Sequence, residues 1–146
     1  MLSDELKVLL ATNYHFVVKS QFFHWNIVGA SFIQLHDLFG RIYEDAYSAI
    51  DVIAEEIRTL DSNPPGSFVR FHELSLLEDQ TQIPRAQLMI SELLSDNQTL
   101  IDQLNTCFHA AEQEDKQDIA NFMAERLGQQ QKWAWQLRSL LDIERA

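Results

Sequence analysis

The stretch IQLHDLFGRIYEDAYSAIDVIAEEIRTLD, residues 33–61, decides the fold. Leu38, Phe39, Ile42, Ala46, Ala49, Ile50, Ile53, Ile57 and Leu60 recur along it at three- and four-residue steps, the spacing of one face of an α-helix. Ser62-Asn63-Pro64-Pro65-Gly66 ends the run, because proline cannot continue a helix and biases the residue before it away from helical geometry. A helix over 33–61 is roughly 40 Å long at about 1.5 Å per residue. That is too long for a typical small globule and suits a helical bundle.

Three further stretches carry the same period. One spans 3–28 with Leu6, Leu9, Leu10, Phe16, Val17 and Phe23, and Asp4 and Glu5 occupy its first turn, where the helix dipole favours acids. Another spans 84–111, with Pro84 in its first turn. The last spans 115–143, with Ile119, Phe122, Met123, Leu127, Trp133, Leu137, Leu140 and Leu141. Short turns near Val28-Gly29-Ala30-Ser31 and near 112–115 make the first two helices antiparallel neighbours, and the last two likewise. The middle link is about twenty residues, long enough to be ordered or functional. Its Phe68, Val69, Phe71, Leu74, Leu76 and Leu77 predict a short helix over 68–79. Two hairpins joined by one long crossover make the ferritin-like variant of the four-helix bundle, an all-α chain read as one domain over 1–146.

Composition narrows the function. The 146 residues are 46% apolar, with only 4 Gly and 3 Pro. The lone Cys107 excludes an intrachain disulfide framework and a cysteine-rich zinc site, and reads as a small core residue. Eleven basic residues stand against 22 acidic ones, for a net charge of −11. Such a surface repels phosphate backbones and anionic membranes and gathers cations, so direct DNA binding is not expected. No apolar run reaches the ~18 residues of a membrane span, and the N-terminus lacks a secretory layout. The expected setting is cytoplasmic. The sequon at Asn97 lies within a helical pattern and reads as chance.

Chemistry concentrates in His24, His36, Asp51 and Glu55, two imidazoles and two carboxylates that make a transition-metal ligand set. One chain cannot assemble it: His36 and Asp51 on one helix lie roughly 22 Å apart. His24 and His36 flank the tight turn between the first two helices and can meet. Asp51 and Glu55 share a helical face. A two-fold dimer, in which one patch meets itself, would set the histidines of one chain against the carboxylates of its mate. Against this stand the ordinary roles of a satisfied core histidine and a solvated acidic face.

The run His24-Trp25-Asn26, Gly29, Phe32, Leu35-His36, Phe39, Tyr43, Asp51, Ala54-Glu55 resembles the Dps family, the mini-ferritins named for DNA protection in starved cells. Lys132-Trp133 and the helix layout extend the resemblance over nearly the whole chain. It implies a twelve-subunit hollow shell that stores iron and a ferroxidase site between two-fold-related subunits. His24 and His36 would be ligands from one subunit, and Asp51 and Glu55 from the other, Glu55 as a candidate bridge. Iron is the implied metal, with zinc as an alternative occupant. Trp25 would stand near the metals or pack in the bundle or an interface. The acids Glu112, Glu114, Asp115 and Asp118 would line three-fold pores for iron entry, unless they only suit a helix N-terminus.

The chain departs from the family at Gly40, where an acid is usual on the helical face of His36. Glu44 and Asp37 are nearby acids, though neither holds the matching position. The missing ligand sets up two readings. In one the chain is a ferroxidase, an oxidoreductase acting on metal ions, and restoring Asp at 40 raises its iron stoichiometry. In the other it is a Dps-like shell with a degraded site, binding metal or serving a structural or DNA-protective role. Glu56 stands where many members carry Arg. A di-iron enzyme of the wider class is disfavoured, since it uses Glu-x-x-His pairs and none occurs here.

Overall fold

The computed structural model describes residues 1–141 and is helical throughout, with no strand among them. Its elements are α1 (Leu2–Asn26), α2 (Phe32–Ser48), α3 (Ile50–Thr59), α4 (Phe68–Leu74), α5 (Ala86–Gln113) and α6 (Gln117–Leu141). The expected four arms are α1, the α2–α3 pair, α5 and α6. α1 packs on α2, α3 and α5, while α5 pairs with α6. The core fills from every arm: Leu6, Phe16 and Phe23 of α1, Phe39 and Ile42 of α2, Ile53 and Ile57 of α3, Leu93 and Leu104 of α5, Met123 and Leu137 of α6. Cys107 is fully buried among them. Burial pushes its thiol up to about 12, so it carries no thiolate reactivity at neutral pH.

The second arm is not one helix. It breaks at Ala49, because two of its carbonyls are taken by side chains. Asn13 of α1 donates Nδ2–H to the Ala46 carbonyl at 2.9 Å, and Ser48 donates its hydroxyl to the Asp45 carbonyl at 2.6 Å. The Ala49 N–H then bonds Ala46 rather than Asp45. A side chain inserted into the helical ladder is a recognised cause of such a break.

The other boundaries shift for local reasons. α4 stops at Leu74 rather than 79, because Ser75 turns extended. The chain beyond it is tied to α1, where Leu76 N–H donates to Thr12 Oγ1 at 3.1 Å and His15 Nδ1 meets Ser75 Oγ at 2.8 Å. Pro84 stands before α5, whose N-cap is Arg85, so it is not a first-turn residue. Residues 142 and 143 of the expected fourth helix lie outside the described residues.

Helices α3 and α5 both end with a left-handed aspartate. Asp61 has φ 61° and Asp115 φ 57°. Asp115 N–H bonds Glu112 O and Lys116 N–H bonds Ala111 O; Asp61 and Ser62 bond Arg58 O and Ile57 O in the same way. These are Schellman caps with aspartate in the place glycine usually takes.

Polar ties fix the arms against one another. Asp45 of α2 receives both Arg126 nitrogens, at 2.9 and 2.8 Å, and Trp133 Nε1–H at 2.9 Å. Arg126 also donates to Gln130, whose amide donates to Asn97 of α5 at 2.6 Å. The sequon asparagine is thus wholly buried in this network. Elsewhere Lys19 of α1, also buried, meets Asp96 of α5 at 2.8 Å. Burial pushes the Asp96 carboxyl up, and Lys19 only partly offsets it.

Candidate metal centre

His24 lies in the last turn of α1 and His36 in the first turns of α2. The turn between them needs Gly29, whose φ of 115° is open to glycine and rarely to other residues. It folds α2 back so that the two imidazoles stack, with ring centroids 3.8 Å apart and planes 13° from parallel. Phe32 stacks on the outer side of His36, and Tyr43 leans on His24 at 5.3 Å.

The two histidines bind each other's backbone. His24 Nδ1–H donates to the His36 carbonyl at 2.6 Å, and His36 Nδ1–H donates to the His24 carbonyl at 2.8 Å. A carbonyl only accepts, so each Nδ1 carries a proton, which leaves Nε2 as the nitrogen available to a metal. The His24 carbonyl sits at the end of α1, where helix carbonyls lack an intrahelical donor. The His36 carbonyl lies inside α2 and uses its second lone pair. Oriented imidazoles with a backbone-bound Nδ1 are what a metal site requires of histidine.

The remaining candidates fall elsewhere. Asp51 and Glu55 stand exposed, one turn apart, on α3. Within one chain, the described residues bring no three His, Cys, Asp or Glu side chains together around a metal position. The expected four are therefore two separate halves in a single subunit. Glu44 is exposed on α2. Asp37 is committed to Arg41, which donates to it at 2.9 and 2.6 Å. Trp25 is 64% exposed, which removes it from packing inside its own bundle.

The acidic group at the α5–α6 turn is dispersed in its local roles. Glu114 accepts the Leu2 N–H at 2.9 Å and so anchors the start of α1. Asp115 closes the Schellman cap. Glu112 lies 3.5 Å from His109. Asp118 faces Glu56 of α3, whose carboxyl is pushed up by burial and by the charge of Asp118. His15 and His72 both approach Asp79, at 2.9 and 3.8 Å. Burial lowers the His15 imidazole, and Asp79 only partly restores it.

Two residues escaped sequence reading. Asp45, to which the sequence reading assigned no role, organises the polar network. Gly40 looked like a lost ligand. A Cβ built on it would lie 2.9 Å from His24 Cε1 and 3.0 Å from Nδ1, so the glycine is where the His24 ring passes.

Three comparisons bear on this geometry. The family model for a ferritin-like domain matches residues 3–146. A low temperature-induced protein of Nostoc sp. is 34% identical over 135 residues, covering 91% of this chain and 75% of its own. The DNA protection during starvation protein 2 of Bacillus anthracis is 25% identical over 120 residues, 82% of each chain. The fold superposes on the crystal structure of a Dps protein from Vibrio cholerae O1 with a TM-score of 0.93 at 28% identity, covering 97% of this chain and 89% of that one. That protein is described as one of the ferritin-like diiron-carboxylate proteins.

Proposed function

The chain belongs to the Dps family of ferritin-like proteins, whose general work is iron storage and protection from oxidative damage, and from that premise we propose that it is a cytoplasmic ferroxidase and iron-storage cage. The observation that carries the reading is the reciprocal His24–His36 pair, whose backbone bonds leave both Nε2 atoms free as ligands. Asp51 and Glu55 of the partner subunit would complete each site across a two-fold axis.

The surface around the two halves supports that assembly. Ile33, His36, Gly40, Glu44, Tyr47, Asp51 and Glu55 follow one another at three- and four-residue steps, one face of the α2–α3 arm. Ile33 is 76% exposed and Tyr47 61%. Both would be covered if this face met its own copy. If His36 lies opposite Asp51 of an antiparallel copy, the two-fold axis passes beside Tyr43 and Glu44, and the same stripe meets itself.

The stacked rings favour two metal ions per site. A metal bound by imidazole lies in the ring plane. Two nearly parallel planes have no nearby point in common, so the pair as it stands cannot share one ion. Each ring would serve its own ion, as in two-metal centres. Peroxide takes two electrons as its O–O bond breaks, and each Fe(II) gives one. Neighbouring irons can supply both together, yielding two Fe(III) and two hydroxides and bypassing the one-electron step that releases hydroxyl radical. DNA would then be protected chemically, through iron removal, since the net charge of −11 opposes direct contact.

Anaerobic Fe(II) titration followed by peroxide tests the reading. Ferric absorbance rising faster than the protein-free control, and saturating at two Fe(II) per site, supports it; a protein-free rate contradicts it. A cage of twelve subunits is part of the proposal, and its mass in solution is the check.

Acidic pores would admit the iron. Asp115→Gly separates this role from capping, because glycine takes the left-handed cap position without strain. The expected result is unchanged or slightly raised thermal stability with slower iron uptake. Unchanged uptake would leave Asp115 with the cap alone.

A further inference from the structure

We infer that Gly40 is a positioning residue for the imidazole pair: its missing side chain is the opening through which His24 reaches the His36 carbonyl. This rests on the proposed metal site for its chemical consequence, but not for its geometry.

In a regular α-helix the carbonyl of His36 points at the N–H of residue 40. A second donor must approach that carbonyl from the side, and here it does so past residue 40. Here the donor is His24 Nδ1, at 2.6 Å. An alanine methyl would stand 2.9 Å from His24 Cε1 and 3.0 Å from Nδ1, inside van der Waals contact.

The ring cannot step aside cheaply. His36 is stacked on it at 3.8 Å and Tyr43 leans on it. Moving it lengthens the bond that sets its tautomer. If that bond is lost, Nδ1 and Nε2 become interchangeable, and the reciprocal bond from His36 loses its stacked support. Glycine is less favourable than alanine inside a helix. An exposed helix would gain from replacing it; this buried one keeps it for the approach of another group.

The inference reverses the expectation drawn from the missing acid. An aspartate at 40 and this histidine arrangement exclude each other, because the aspartate Cβ meets the same ring. Gly40→Asp is therefore expected to weaken metal binding, not to restore a ligand.

The test is a thermal-unfolding cycle on the metal-free assembled protein: wild type, Gly40→Ala, His24→Ala and the double variant. Contacting residues couple, so the sign should depend on the background. Gly40→Ala is expected to lower Tm when His24 is present. In the His24→Ala background it should raise Tm, because only the helix-propensity gain remains. The same sign in both backgrounds would overturn the inference. Should Gly40→Ala alone fail to assemble while the double variant assembles, the coupling is shown in its strongest form; failure of both would overturn it. Co(II) titration then reads the chemical consequence. Gly40→Ala and Gly40→Asp should bind Co(II) roughly ten-fold or more weakly than wild type, the scale of a lost ligand-orienting bond. Wild-type affinity in both would overturn the positioning role. A sign reversal in Tm with no Co(II) binding by any form, wild type included, would uphold the placement of His24 by Gly40 and overturn the metal reading alone.

Discussion

His36→Ala is expected to bring Fe(II) oxidation by the assembled protein down to the protein-free rate. The substitution removes one ligand outright. It also takes the stacking partner from His24, whose Nδ1 keeps only its bond to the backbone carbonyl of residue 36. One metal position of the proposed site is lost outright, and two-electron reduction of peroxide, which needs both irons, fails with it. The cost in stability is small by comparison. The His24 carbonyl lies near a helix end close to solvent, and the net value of a lost hydrogen bond is about 1 kcal/mol. Stopped-flow ferric absorbance after peroxide, alongside a Tm and a mass measurement, separates the two effects. Substantial residual oxidation in an intact assembly would remove His36 from the centre.

Asp45→Ala is expected to cost about 3 kcal/mol or more, the scale of a buried ion pair broken from one side. It strands the Arg126 guanidinium, leaves Trp133 Nε1–H without an acceptor and loosens the Gln130–Asn97 link behind them. The pH dependence has a definite sign. Burial alone would raise the Asp45 carboxyl, but the Arg126 and Trp133 hydrogen bonds and the arginine charge outweigh it and hold it below 3.8. A carboxyl depressed by folding contributes its full stability above its unfolded value and loses it as pH falls through the folded one. The advantage of wild type over Asp45→Asn should thus be complete at neutral pH and shrink below about pH 4. Denaturant unfolding at pH 7 and at pH 3.5 measures it; an advantage that grows on acidification would contradict the assignment.

Most of the architecture could be read from hydrophobic period and from proline placement, because those signals are local. The break at Ala49 could not, since its cause is the Asn13 amide arriving from another helix. Asp45 was hidden for the same reason: an acid beside an apolar stripe looks alike whether it faces water or an arginine 81 residues away. His24 and His36 were legible because one tight turn joins them in sequence and in space. Gly40 carried a signal that pointed two ways. A glycine inside a helix asks for a reason, and a missing acid was the nearer one. The approach of the His24 ring is the reason the geometry supplies. The union of the histidine half with the carboxylate half lies between copies of the chain, where spacing within one sequence only shows that a single helix cannot do it.

That union is the central claim, and subunit complementation tests it most directly. His36→Ala subunits and Glu55→Ala subunits should each form inactive assemblies. In a mixed two-fold pair, one site collects both damaged halves and the other collects both intact ones. Equal random mixing therefore predicts recovery of about a quarter of wild-type Fe(II) oxidation. A mixed assembly as inactive as its two parents would contradict a centre shared between subunits.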